Sequence, residues 1–346
     1  ALSGESGSTG LLLQQNMWEV VPLLGYGIVE QQGTQNPEED ETTCRTLTTE
    51  DLISEELLLP QPEETQQTAL IPESVEATAG TALSNFRPAV QQVQIDRTQL
   101  ADYETLVRNF YAIDANTMAG SDQLSVEKLL GMDMTLPQEG DGPQILIYHT
   151  HSQETFSDYP ENPEATITGV GAYLSELLEG KGYSVIHDDG VYDYRDGKLD
   201  RSRAYTYALE GIQGILQKYP SIEVVLDLHR DGVAEGTRLV TEINGKPTAK
   251  IMFFNGTSQT PDGPIEYLPN PNREANLAFS FQMQLKAAGM YPGFTRKIYL
   301  KGLRYNQHVR ARSALIEVGA QTNTYEEARN AMEPLAHILD QVLRGS

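Results

Sequence analysis

From residue 144 to the C-terminus, apolar runs of strand length alternate with stripes of helical period, and this alternation constrains the fold more than any other feature of the chain. The runs are "QILIYH" (144–149), "KGYSVIHD" (181–188), "IEVVLDLH" (222–229), "GTRLVTEI" (236–243), "AKIMFFNG" (249–256), "RKIYL" (296–300) and "SALIEVG" (313–319). "NGKP" between the fourth and fifth is a hairpin signal, because Asn-Gly accepts the positive backbone angles of a tight turn. Helical patterns fall at 168–180, with Val170, Leu174, Leu177 and Leu178 as the apolar stripe, and at 202–218, with Leu209, Ile212, Ile215 and Leu216. Two more occupy 271–288 and 324–343. The expected fold is α/β, a mixed and mostly parallel sheet of about six strands, covered on both faces by about five helices.

Ahead of that region the text changes character. Residues 98–143 read as a helical lead-in, in which "TQLADYETLVRNFYAID" puts Leu100, Tyr103, Leu106, Val107 and Phe110 on one face behind Thr98 as a cap, and "SVEKLLGM" forms a second short helix. Residues 1–97 are rich in Glu, Gln, Thr and Pro without a sustained period, the composition of a disordered spacer. Residues 1–127 carry 21 Asp and Glu against four Arg and no Lys, a net of −17, whereas 128–346 carry 28 acids against 21 bases, a net of −7. The expected organisation is therefore a spacer at 1–97, a lead-in at 98–143 and a catalytic domain at 144–346.

A formal charge of −24 without a basic stripe argues against a nucleic-acid partner, since phosphate binding works through clustered Lys and Arg. The single Cys44 excludes an intrachain disulfide and any multi-cysteine metal site. "WEVVPLLGYGIV" (18–29) is broken by Glu19 and Pro22 and falls short of the roughly twenty apolar residues a spanning helix needs. The chain begins with Ala rather than Met, which suggests an upstream segment. No G-x-S-x-G, P-loop or H-E-x-x-H motif occurs and the lone Cys44 lies in the acidic spacer, so the serine hydrolase and cysteine protease readings fall away.

Three strand ends carry residues able to do chemistry. They are His149, His151 and Glu154 after the first strand, Asp227, His229, Arg230 and Asp231 after "VVL", and Glu317 at the end of "ALI". In open α/β sheets such ends converge on one crevice. A catalytic zinc takes three imidazole or carboxylate ligands and leaves the fourth position to water, whose pKa falls to about 7, while a nearby carboxylate takes the proton. His151, Glu154 and His229 supply the ligands for one such Zn2+, in an order that resembles zinc carboxypeptidases, and Glu317 the base. Asp227, two residues before His229, is placed to orient it. His149, Arg230, Asp231 and Asn306 are expected around the ligands or against substrate. A blander reading has His149 and His151, two apart on a strand, lining a cleft as satisfied polar groups. His187, His308 and His337 read as loop or structural residues. A non-catalytic binding protein that keeps the fold without the chemistry is the rival from another class.

Four separated motifs, "IYHTHSQETF", "VVLDLHRDG", "YPGFTRKIYLKGLRYNQHV" and "ALIEVGAQTNTYEEA", resemble the stage II sporulation protein P family of cell-wall hydrolases, over roughly residues 100–345. The acidic stretch before them carries no such likeness. The family is related to the zinc N-acetylmuramoyl-L-alanine amidases, whose Gly-His-Gly-Gly, Glu, Ser-x-His-x-Asn and Glu-x-Gly-Phe pattern is echoed by His151, a carboxylate, His229 and Glu317. Those amidases take their second ligand from the opening of the first helix, where this chain has "TITGVGAYL" and no carboxylate. Glu154 is the substitute, with Glu161 and Glu164 in reserve. The resemblance implies peptidoglycan as substrate, cleaved during engulfment, with a second, endopeptidase activity. It further implies an extracytoplasmic protein tethered to the membrane upstream of this fragment, between mother cell and forespore, with sporulation proteins D and M as partners.

Overall fold

The computed structural model describes residues 98–137, 142–195, 197–201 and 203–345. The spacer expected over 1–97, with Cys44, and part of the "PQEGDGP" turn lie outside them. Seven strands form the main sheet: β1 (Tyr111–Ile113), β2 (Ile145–Tyr148), β3 (Val185–His187), β4 (Val224–Asp231), β7 (Ile251–Gly256), β8 (Ile298–Lys301) and β9 (Arg312–Ala320). Between β4 and β7, β5 (Val240–Ile243) and β6 (Lys246–Ala249) form a separate antiparallel hairpin. The sheet order is β1-β8-β7-β9-β4-β2-β3. All neighbours are parallel except β7 and β9, whose antiparallel pairing matches Met252 with Glu317. This is the mixed, mostly parallel α/β sheet the alternation foretold.

Six α-helices accompany it among the described residues: α1 (Tyr103–Phe110), α2 (Val126–Gly131), α3 (Ile167–Gly180), α4 (Ala204–Lys218), α5 (Arg273–Met290) and α6 (Tyr325–Leu343). The Thr166 hydroxyl accepts from Gly169 N–H and starts α3, whose Ile167, Val170, Leu174 and Leu178 are buried. Thr324 and Glu327 close a reciprocal capping box at the start of α6.

Strand alternation divides the core. Ile145, Ile147, Val224, Leu226, Leu228, Phe253 and Ile316 face the large apolar cluster that includes α3, α5 and α6. Burying one such side chain contributes about 1.5–3 kcal/mol, so this layer holds the sheet together. Leu146, Tyr148 and Val225 point the other way, against Ala208, Ile212 and Leu216 of α4. Beyond them Phe254 and Leu315 pack with Tyr205 and Tyr305. Helices were expected on both faces, but on this second face α4 is the one helix among the described residues, and the loop carrying Tyr305 takes over from it.

Three local expectations are corrected. Asp102 rather than Thr98 caps the first lead-in helix, its carboxylate accepting from Thr105 N–H at 2.9 Å. That helix also ends early, because Tyr111–Ile113 continues as β1 and pairs with β8, so the lead-in supplies an edge strand as well as helices. The Asn-Gly turn joins β5 to β6, and "IMFFNG" is a separate strand of the main sheet.

Candidate functional site

Parallel pairing of β9 with β4 sets Glu317 beside His229 in register. Since side chains two apart on a strand share a face, Asp227 and His229 both leave the helix-packed core and point to the second face. β2 ends at Tyr148, and the turn that follows brings His151 round to the same place, its ring centroid 5.2 Å from that of His229. Glu154 closes the group, with Oε2 3.8 Å from His229 Nδ1. His151, Glu154 and His229 are 2%, 4% and 3% exposed, and Glu317 is half-buried with Oε2 shielded from solvent.

Each of these side chains is held from behind. Asp227 accepts from Thr150 N–H at 2.9 Å and from the Thr150 hydroxyl at 2.6 Å, which ties the turn after β2 to β4. Its Oδ1 also lies 2.9 Å from His229 Nε2. The ring is not aligned for a hydrogen bond there, so Nε2 is left without a hydrogen-bond partner. Glu154 Oε2 accepts from Arg230 N–H at 2.9 Å, while Arg201 approaches its other oxygen at 3.4 Å. The Arg230 guanidinium turns away, to the carbonyls of Thr155 and Asp231. Asp231 pairs with Arg296, which stands before β8. Asn306 is buried and left-handed at φ 54°, and its amide donates to the Tyr205 carbonyl at 2.8 Å, supporting Tyr205 against both histidine rings.

The electrostatics are those of a site short of positive charge. Burial holds the His151 imidazole neutral, well below its usual range, with the charges of His229, Arg201 and Arg230 adding to the effect. Burial pushes His229 down as well, but the carboxylates of Asp227, Glu154 and Glu317 outweigh it and raise the ring to about 9. Burial raises Glu317 to about 8; His229 opposes that rise, and Asp231 and Glu154 add to it.

Among the described residues, no three His, Cys, Asp or Glu side chains stand in a ready-made metal cage. Yet the donor set fits a zinc ion. Both ring nitrogens of the buried, neutral His151 lack hydrogen-bond partners, and His229 turns Nδ1 toward Glu154 while Nε2 stands against Asp227. Orphaned ring nitrogens of this kind are costly unless something fills the gap beside them. A proton drawn onto His229 by three carboxylates marks the same place as one that takes a cation.

Other expected residues fall elsewhere. His149 does not share the cleft with His151, because the strand has ended and the turn separates them. It sits fully buried under α3, with Nδ1 3.1 Å from the Leu228 carbonyl and Nε2 2.9 Å from His187 Nε2. Glu161 and Glu164 are exposed on the loop before α3, whereas Glu154 is inside the group. His337 Nδ1 meets the Tyr291 hydroxyl at 2.8 Å, away from the site. Asp193, Arg201, Tyr205 and Arg296 were not anticipated. Asp193 is fully buried, accepts from the Ser152 hydroxyl at 2.9 Å and lies 4.0 Å from His151 Nδ1. Nothing in "VYDYRDGKLD" marks one of its aspartates as the inward one. Arg296 reaches the site because the antiparallel seam turns the start of β8 to the edge where β4 and β9 end.

The stage II sporulation protein P (SpoIIP) family matches residues 41–340. The chain belongs to this family. The SpoIIP match begins well before residue 100, so it takes in part of the acidic stretch thought to carry no likeness. Comparison with curated proteins finds no match. Among solved structures, the chain is similar to the CwlD amidase of Clostridioides difficile in complex with the GerS lipoprotein, at 15% identity and a TM-score of 0.39, over 58% of this chain and 97% of that one. An N-acetylmuramoyl-L-alanine amidase from Clostridium difficile 630 is similar at 13% identity and a TM-score of 0.35, over 59% and 95%. The catalytic domain of CwlV, an N-acetylmuramoyl-L-alanine amidase from Bacillus (Paenibacillus) polymyxa var. colistinus, is similar at 12% identity and 0.34, over 58% and 95%.

Proposed function

We propose that this chain is a zinc-dependent peptidoglycan hydrolase that cleaves the amide between N-acetylmuramic acid and the L-alanine of the stem peptide. The observation that carries the reading is the meeting of His151, Glu154, His229 and Glu317 at one shielded point, where both ring nitrogens of His151 are unpartnered. His151, Glu154 and His229 would hold the ion, with Glu161 and Glu164 too exposed to compete. Zinc there supplies Lewis acidity, polarising the amide carbonyl and acidifying water at neutral pH.

The protein's own groups divide the remaining work. Glu317, adjacent to His229 and half-buried, takes the proton of the attacking water and returns it to the leaving amine nitrogen, a transfer worth about 10²–10⁴ in rate. Asp227, pinned by Thr150, fixes the orientation of His229, and Asp193 stands in the same relation to His151. Tyr205 closes one wall and keeps water from the imidazoles.

A membrane tether upstream, a location between mother cell and forespore, an endopeptidase activity and the partner sporulation proteins D and M belong to the same proposal, and they rest on family membership alone. No helix among the described residues is long and apolar enough to cross a membrane. The test is incubation with purified cell walls, with and without chelator. Release of new amino termini that stops on chelation and returns with zinc is expected. Wall binding without new termini would replace the enzyme by a non-catalytic binding protein.

A further inference from the structure

Three arginines stand at the candidate site, and their donors are spent unequally. Arg230 gives its guanidinium to the carbonyls of Thr155 and Asp231, and Arg296 is paired with Asp231. Arg201 differs. Its Nη1 lies 3.4 Å from Glu154 Oε1, beyond the usual range of a hydrogen bond, and its Nε, shielded from solvent, has no hydrogen-bond partner. A shielded guanidinium N–H without a partner costs free energy until a ligand or a water meets it. The side chain as a whole is nonetheless 26% exposed, against 4% for Glu154, so Arg201 forms the rim of the site where Glu154 lies within. Its backbone is anchored: Asp200 N–H donates to the Asp193 carbonyl at 2.8 Å, and Asp193 is fully buried on the Ser152 hydroxyl. Its charge is felt inside the site, where it helps to hold His151 neutral.

We propose that Arg201 is the substrate-recognition residue of this site and takes a carboxylate of the stem peptide, so that the peptide side of the scissile amide lies toward Arg201 and the sugar side away from it. The inference rests on the amidase reading for the nature of the substrate and goes beyond it in assigning how that substrate lies. Charge decides the partner. On the sugar side, N-acetylated rings and a lactyl group already joined in the amide carry no ionised group, whereas the stem peptide carries free carboxylates. A guanidinium presents its N–H groups as a planar fork, which a carboxylate matches with two parallel hydrogen bonds. Glu154 does not fill that fork: it meets Nη1 with one oxygen at long range, and its other oxygen accepts from Arg230 N–H.

The full chain, supplied with zinc, is assayed on soluble N-acetylmuramoyl peptides in two forms, with carboxylates free or converted to carboxamides. Calorimetry follows binding of the matching free peptides, which lack the scissile amide. Wild type should favour the free carboxylate about ten- to hundredfold in KM and in peptide affinity, with kcat little changed. Arg201→Gln should bring the two forms level. Arg201→Lys should keep part of the preference, because the charge stays and the fork is lost. Zinc content and melting temperature should match wild type in both variants. Equal handling of the two forms by wild type overturns the proposal, and cleavage of both then leaves the amidase reading standing. An Arg201→Gln protein that loses zinc but keeps its preference for the free carboxylate also overturns it, since Arg201 then serves only to position Glu154. If the free-carboxylate peptides bind through Arg201 but neither muramoyl peptides nor walls release amino termini, the carboxylate site stands and the amidase reading fails.

Discussion

Replacing Glu317 by Gln should do two opposite things at once: remove turnover and stabilise the metal-free protein at alkaline pH. Glu317 stands beside His229, near Asp231 and Glu154, with Oε2 shielded and unpartnered. Its carboxyl holds its proton up to about 8, against 4.5 for the free group. A raised carboxyl constant means that the native state binds the extra proton, so stability is fully present below pH 4.5 and is lost as pH rises through 8. Taken at face value that difference is worth about 5 kcal/mol, and relaxation with water entry in a half-buried site reduces it to about 2–4 kcal/mol. His229 acts in the same direction. Raised from 6.5 to about 9, it contributes stability below 6.5 that disappears through 9. Gln keeps the size and hydrogen-bonding capacity but cannot ionise. For a domain of this size about 1 kcal/mol moves the melting temperature by about 2–4 °C, so in chelator the variant should melt about 5–15 °C above wild type at pH 9 and level with it at pH 5. Thermal melts across that range measure this directly. Parallel curves with the same offset at both pH values, or a variant less stable throughout, would refute the claim that an ionised Glu317 strains the site. In the zinc-loaded protein, Glu317→Gln should retain metal while the release of amino termini falls about 10²–10⁴.

Glu154→Ala should instead weaken zinc by about two orders of magnitude in competition with a coloured chelator, because two imidazoles remain where three ligands stood. Full retention of metal by that variant would take Glu154 out of the ligand set. Gly171→Ala should cost about 1–3 kcal/mol in denaturant melts, since the added methyl would stand 2.5 Å from the His149 ring and 2.9 Å from His187 Nε2. An unchanged midpoint would mean that the two rings are free to move aside.

Much of this protein can be read from its one-dimensional pattern. "QILIYH", "IEVVLDLH" and "SALIEVG" are legible as strands because a buried parallel strand must be apolar on both faces, so each appears as an unbroken run that stops where chemistry begins. The helices at 167–180, 204–218, 273–290 and 325–343 follow from their apolar period, a local property, and Thr166 and Thr324 cap the first and last of them. His151, Glu154, His229 and Glu317 stand out because polar groups at the ends of such runs have no packing reason to be there. Tertiary structure decided what depends on direction and pairing. The reversal between β7 and β9 has no sequence signature, since either strand could pair either way, yet it alone brings Arg296 to Asp231. "YAI" at 111–113 becomes a strand rather than the end of a helix because the exposed edge of β8 offers backbone partners that the helix would forgo. His149 and His151, alike in sequence, part company because the strand stops at Tyr148 and the turn reverses the face of everything after it. Asp193 and Arg201 matter only because their hairpin folds back over that turn, and the energy of such a long-range contact is invisible to any window of neighbouring residues.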